Sequence, residues 1–115
     1  MAITSYASAS PTIGASEYSF AAASTSLPTK TDIGVYQLTA DLNALAVGDQ
    51  FLIQQYEMGV SGGTKRVVQE WPLNGAQGMP NYISPSFILG NGFDWTIKKL
   101  AGTDRAIPFT LWRIS

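Results

Sequence analysis

Apolar and polar residues alternate in this chain, and glycine or proline cuts each alternating run short. Residues 33–42 place Tyr36, Leu38, Ala40 and Leu42 on one face, with Gln37, Thr39 and Asp41 on the other. Residues 93–100 do the same, with Phe93, Trp95 and Ile97 against Asp94, Thr96 and Lys98. Period-two runs bounded by turn residues read as half-buried β-strands. The same reading predicts strands over 17–23, 50–58, 64–71, 82–89 and 106–114. Residues 43–49 have room for one helical turn, with Leu45 tucked beneath and Gly48 closing it. Val67 and Trp71 are expected on one face of their strand. Pro85 and Pro108 each remove a ladder donor, so the strand over 82–89 is expected at a sheet edge or bent at the proline, and the strand over 106–114 partly at an edge.

Seven or eight short strands and no long helix define an all-β class. The expected architecture is a two-sheet antiparallel β-sandwich, wired as an Ig-like fold or a small jelly roll. At 115 residues there is room for one domain. The first 30 residues differ from the rest: seven Ser, four Thr and seven Ala, with Glu17 and Lys30 as the only charges. Residues 1–16 lack sustained periodicity and are expected to form an extended N-terminal arm on a domain spanning 17–115. A tract this polar orders only against a surface; docking on a neighbouring subunit is expected, with packing along its own domain as the alternative. It has neither the basic start nor the apolar run of a secretory signal. No stretch approaches a membrane helix, and no membrane partner is expected.

Chemistry is limited by what is missing. The chain has no Cys and no His, which excludes thiolate and imidazole metal sites, Cys nucleophiles and Ser-His-Asp triads. A net charge of −1 gives no basic footprint for nucleic acid. The glycines of Ser61–Lys65 and Gly90–Phe93 lack the spacing and the following helix of phosphate-binding loops. Asp41 and Asp49 flank one loop, where capping explains them better than calcium. Asp94 is expected on the strand face opposite Trp95, so the parities bring no pair of carboxylates together. No catalytic residue, cofactor or metal site is expected, and the chain is read as a non-enzyme.

The aromatic residues carry the remaining signal. Trp71, Phe93 and Trp95 have core-facing parity. Trp112 and Ile114 share the polar face of the last strand, while Phe109 and Leu111 face the other way. Trp112 and Ile114, with Ile3, Tyr6 and Ile13 of the arm, are therefore candidate partner contacts. The loops over 60–63 and 74–81 are further candidates.

Several runs have a familiar pattern: Gly-Val-Tyr-Gln-Leu (34–38), Leu-Asn-Ala-Leu-Ala-Val-Gly-Asp-Gln-Phe (42–51), Ser-Gly-Gly-Thr-Lys-Arg-Val-Val (61–68) and Ala-Gly-Thr-Asp-Arg (101–105). The span 34–115 resembles small proteins encoded among the virion genes of tailed bacteriophages. That resemblance implies a structural role on the capsid surface, as a decoration or cement protein. Its partner would be the major capsid protein, and it would be a homo-oligomer, dimer or trimer. A tail, neck or fibre component, or a receptor- or carbohydrate-binding module, is the alternative. The resemblance brings no catalytic residues with it.

Overall fold

The computed structural model describes residues 2–115; Met1, the first residue of the expected arm, lies outside the described residues. The described residues are all-β and contain no helix. In chain order the strands are β1 (Ile3–Ala9), β2 (Thr12–Ile13), β3 (Tyr18–Ser19), β4 (Gly34–Asp41) and β5 (Gln50–Met58), then β6 (Lys65–Asn74), β7 (Asn81–Ile83), β8 (Phe87–Leu89), β9 (Phe93–Ala101), β10 (Arg105–Ala106) and β11 (Phe109–Ile114).

Three antiparallel sheets result. The largest has the order β1-β11-β4-β7, with β8 also on β4. A four-stranded sheet has the order β3-β9-β5-β6, and β10 pairs with β2 alone. Rings from the two larger sheets meet in one core: Tyr36 lies 4.6 Å from Phe93, and Phe87 lies 5.6 Å from Trp95. Phe20, which follows β3, lies 4.7 Å from Phe109 of β11. Phe20, Tyr36, Phe93, Trp95 and Ile97 are fully buried, and each such side chain contributes about 2–3 kcal/mol of transfer free energy. The inward parity expected for Tyr36, Leu38, Phe93, Trp95, Phe109 and Leu111 is observed. Trp71 is half-buried and stacks on Trp95, at 5.9 Å and 19° between planes.

Five local expectations need correction. Residues 3–9 are no projecting arm: they pair with β11 along its whole length, Ile3 opposite Ile114 through Ala9 opposite Phe109. The tract orders because β11 offers it a free ladder, the second of the two options read from its polarity. In consequence β11 sits between β1 and β4 and is not an edge. Pro108 causes no conflict, since it lies before the strand; its carbonyl accepts the Asp41 N–H at 2.8 Å. Residues 17–23 supply only two strand residues before the chain turns at Ala23, whose φ is 51°. Residues 43–49 form turns, with Leu45 buried as expected. Finally, a bulge between Gln55 and Tyr56 pairs Gln55 with Gln69 but Tyr56 with Val67. The extra residue turns Val67 to the face opposite Trp71 and leaves it exposed.

Pro85 divides the expected 82–89 strand into β7 and β8, which pair with opposite ends of β4. Ser84, buried in the break, donates its N–H to the Leu38 carbonyl at 2.9 Å. Its hydroxyl accepts the Leu38 N–H at 3.0 Å. The backbone groups that a continuous strand would have satisfied are therefore paired.

Candidate functional site

The outward face of the β1-β11-β4 sheet follows from the alternation that builds the core. Phe109 and Leu111 point inward, so Thr110, Trp112 and Ile114 point outward. Register then sets their neighbours. Ile3 lies opposite Ile114, Ile114 opposite Val35, and Val35 opposite Ile88, giving one apolar row across four strands. The next row is Ser5, Trp112 and Gln37; a third is Ser8, Thr110, Thr39 and Ile83. None of these side chains carries a charge. Ile3 is 69% exposed, Ile88 78% and Ile83 65%, far more apolar exposure than a solvated sheet face needs.

The polar groups on this face are mostly spent internally. The Trp112 indole N–H donates to Thr39 Oγ1 at 3.1 Å, and the Thr39 hydroxyl donates to the Thr110 carbonyl at 3.3 Å. The Gln37 amide donates to the Ser84 carbonyl at 2.7 Å. The indole is thus held at its polar end while 38% of the residue stays exposed. A hollow of about 260 Å³ beside it is lined by Ile3, Val35, Gln37, Ser86, Trp112 and Ile114. A shallower depression of about 560 Å³ lies farther along, between Ser8, Thr39 and Tyr82. What such a face can do chemically is bury area against a partner.

Of the candidate contacts read from the sequence, the fold brings Ile3, Trp112 and Ile114 together. It separates the other two. Ile13 is 1% exposed and belongs to the core, so it is unavailable to a partner. Tyr6 is the extra residue of the β1 bulge and turns inward; its ring lies edge-on to Tyr36 at 5.2 Å, with the Arg113 guanidinium 5.9 Å above it. Its hydroxyl donates to Asp32, and burial with that neighbouring carboxylate pushes its pKa up. Sequence reasoning missed Val35, Ile83 and Ile88. Val35 shares parity with Gln37 and was legible; Pro85 hides the parity of the other two. Val60 and Met79, in the other candidate loops, are also exposed.

The opposite side of the molecule corrects the expectation that no two carboxylates converge. Asp94 does face away from Trp95, yet it is buried. Its Oδ1 accepts the Ser19 hydroxyl at 2.6 Å and the Trp95 N–H at 2.8 Å. Glu17 reaches the same place, accepting the Thr96 hydroxyl at 2.5 Å and the Tyr56 hydroxyl at 2.8 Å. Burial raises the Asp94 pKa, and Glu17 adds to the rise. Burial and the Glu17 contact push the Tyr56 hydroxyl up to about 12. The segment 24–30 runs along the edge of this sheet through the Ser19–Ser24 and Lys30–Phe93 bridges, and the Lys65 ammonium reaches its Pro28 carbonyl at 3.0 Å. Both carboxylates hold structure here and line neither hollow.

Asp41 and Asp49 behave as caps. Asp41 accepts the Asn43 N–H at 2.9 Å. Asp49 accepts the N–H groups of Thr103 and Ala46 and the Arg105 guanidinium, at 3.1, 2.9 and 2.7 Å. Those donors, the Thr103 amide foremost, hold its pKa down at about 2. Among the described residues no group of three or more acids could hold a metal ion, and no helix is long and apolar enough to cross a membrane. Compared with known proteins, the chain matches no family model, no curated protein and no solved structure.

Proposed function

We propose that this chain is a structural contact protein, a two-sheet β-sandwich that works by burying the outward face of its β1-β11-β4 sheet on a partner. The observation that carries the reading is the uncharged row Ile3–Ile114–Val35–Ile88 beside the half-exposed Trp112. The ring contacts between the two larger sheets support the sandwich. The resemblance of residues 34–115 to small virion proteins supports the setting: a decoration protein that binds across neighbouring major capsid subunits at the virion surface. The mechanism is geometric. Each buried Ile or Trp is worth about 1.5–3 kcal/mol, and many weak contacts on one shell combine into high avidity.

The alternative of a sugar-binding platform needs two coplanar exposed rings. The stacked pair Trp71–Trp95 has one member fully buried, which favours contact over stacking on sugars.

The test is co-sedimentation with shells assembled from the major capsid protein encoded nearest to this chain's gene. The wild-type chain is expected to bind in many copies per shell. Trp112→Ser is expected to weaken binding at least about tenfold, as loss of an aromatic anchor does. Absence of binding, or full binding by Trp112→Ser and Ile88→Lys, would overturn the reading. A handful of copies per particle would point to a neck or tail component.

A further inference from the structure

Sheets end in edges, and the edges of this fold are not alike. β6 closes the four-stranded sheet with Lys65, Arg66, Glu70 and Pro72 along it. Charge and proline are devices that stop one edge from pairing with another. β7 and β8 have three residues each and are parted by Pro85. β1 is different. It is seven residues long, it pairs with β11 on one side only, and no described strand lies on its other side. Its residues are Ile, Thr, Ser, Tyr, Ala, Ser and Ala, with no proline and no charged side chain. Its own bulge turns Tyr6 into the core and leaves small side chains along the edge.

The geometry points to the open edge of β1 as a self-pairing site: two copies of the chain join β1 to β1, antiparallel about a two-fold axis, into one continuous sheet. Charge selects the occupant. An identical strand opposes no like charges to this edge, matches its length of about 24 Å and exposes the same unpaired backbone groups. An antiparallel pair of identical strands has its dyad perpendicular to the sheet. Both outward faces therefore come to one side, and the two Ile3 rows together form a double-width apolar surface. The proposal goes beyond the contact reading because it stands on the strand edge, not on the outer face.

The test is analytical ultracentrifugation of the purified chain, with no shell present. A seven-residue ladder is small beside the roughly 800 Å² per partner of a standard interface, so the concentration series must reach well above micromolar. A monomer–dimer equilibrium is expected. Ser5 is exposed near the middle of β1, so the dyad brings its two copies close together. Ser5→Lys and Ser5→Glu are each expected to weaken dimerisation at least tenfold, and an equal mixture of the two is expected to recover it. Thermal melts followed by circular dichroism verify that both variants are folded. A wild-type chain that stays monomeric, a dimer indifferent to both charges, or a mixture that fails to recover would overturn the proposal. Protection of the β1 amides from hydrogen exchange only when shells are added would assign the edge to the shell subunit. That outcome would overturn self-pairing and leave the proposed function standing.

Discussion

Gly48 and Gly102 have nearly the same backbone, with φ of +91° and +94°, and very different surroundings. A Cβ added to Gly48 meets nothing within 4 Å. One added to Gly102 would sit 2.7 Å from the Asp49 Cα and 3.0 Å from the Gly48 carbonyl, and closer still to Asp49 Oδ1. Alanine at either site takes on the left-handed penalty of about 1–2 kcal/mol. At Gly102 the obstacle is backbone, which cannot rotate aside, and overpacking adds about 1–3 kcal/mol. Gly48→Ala is therefore expected to cost about 1–2 kcal/mol and Gly102→Ala about 2–5. At about 4 °C per kcal/mol for a domain of this size, the two melting temperatures should differ by about 4 °C or more. The assay is thermal unfolding of both variants and the wild type at neutral pH. A second readout comes from Asp49. Its carboxyl is held down at about 2 against an ordinary 3.8, so its stabilisation is present above 3.8 and lost as pH falls through about 2. If Gly102→Ala pushes the 101–104 loop away from Asp49, the gap between variant and wild type narrows across that window. Equal melting of the two alanine variants, or the milder effect at Gly102, would refute the reasoning.

Ile13→Ala is expected to cost about 2–4 kcal/mol, since the side chain is buried in the core; Ile3→Ala should stay within about 0.5 kcal/mol by chemical denaturation. A negligible effect at Ile13 would contradict its place in the core. Asp94→Asn keeps an oxygen for the Ser19 hydroxyl and the Trp95 N–H. The Asp94 pKa is raised by burial, so the wild type has its full share of that stability below the ordinary carboxylate pKa. It loses that share as pH rises through the raised value. The melting difference, variant minus wild type, should grow more positive across that window, and a difference independent of pH would sink the assignment. Ile88→Lys, at a position 78% exposed, should leave the melting temperature unchanged while raising solubility, measured as the protein concentration at precipitation.

Much of the fold was legible because a buried face imposes a strict period of two. Tyr36, Leu38 and Ala40, or Phe93, Trp95 and Ile97, cannot exchange faces without putting polar groups in the core. Trp112 and Ile114 were legible by the same parity read in reverse. β1 was not, for two physical reasons. Its side chains are mostly too small to mark a buried face, and its bulge at Tyr6 shifts the parity between Ser5 and Ala7. Missing β1 misplaced β11, because a strand's rank in a sheet depends on which distant segment fills its other side. The bulge in the β5–β6 ladder hid Val67 in the same way. The meeting of Glu17 with Asp94 was beyond parity. Alternation tells which side of a sheet a carboxylate occupies, but not that a segment from the start of the chain bonds across that side.

The outer sides of the two larger sheets divide the molecule's unfinished interactions unevenly. On the β3-β9-β5 side, Ser19, Asp94, Thr96, Glu17, Tyr56 and Gln54 satisfy one another, and the segment 24–30 borders them at the sheet edge. A buried polar network of that kind is stable only when complete, and once complete it makes no demand on a partner. On the β1-β11-β4 side the hydrogen-bonding groups of Trp112, Thr39 and Gln37 are paired as well, but the apolar area between them is left in water. Glu17 and the Lys65–Pro28 hydrogen bond close the polar side, while the apolar side is left open. Had solubility been the only constraint, the cheaper arrangement would cover the isoleucines and expose the acids, since ionised groups lose most on burial. The inverse arrangement is the one the proposed contact function calls for, with its polar side already complete and its apolar row left for another surface to cover.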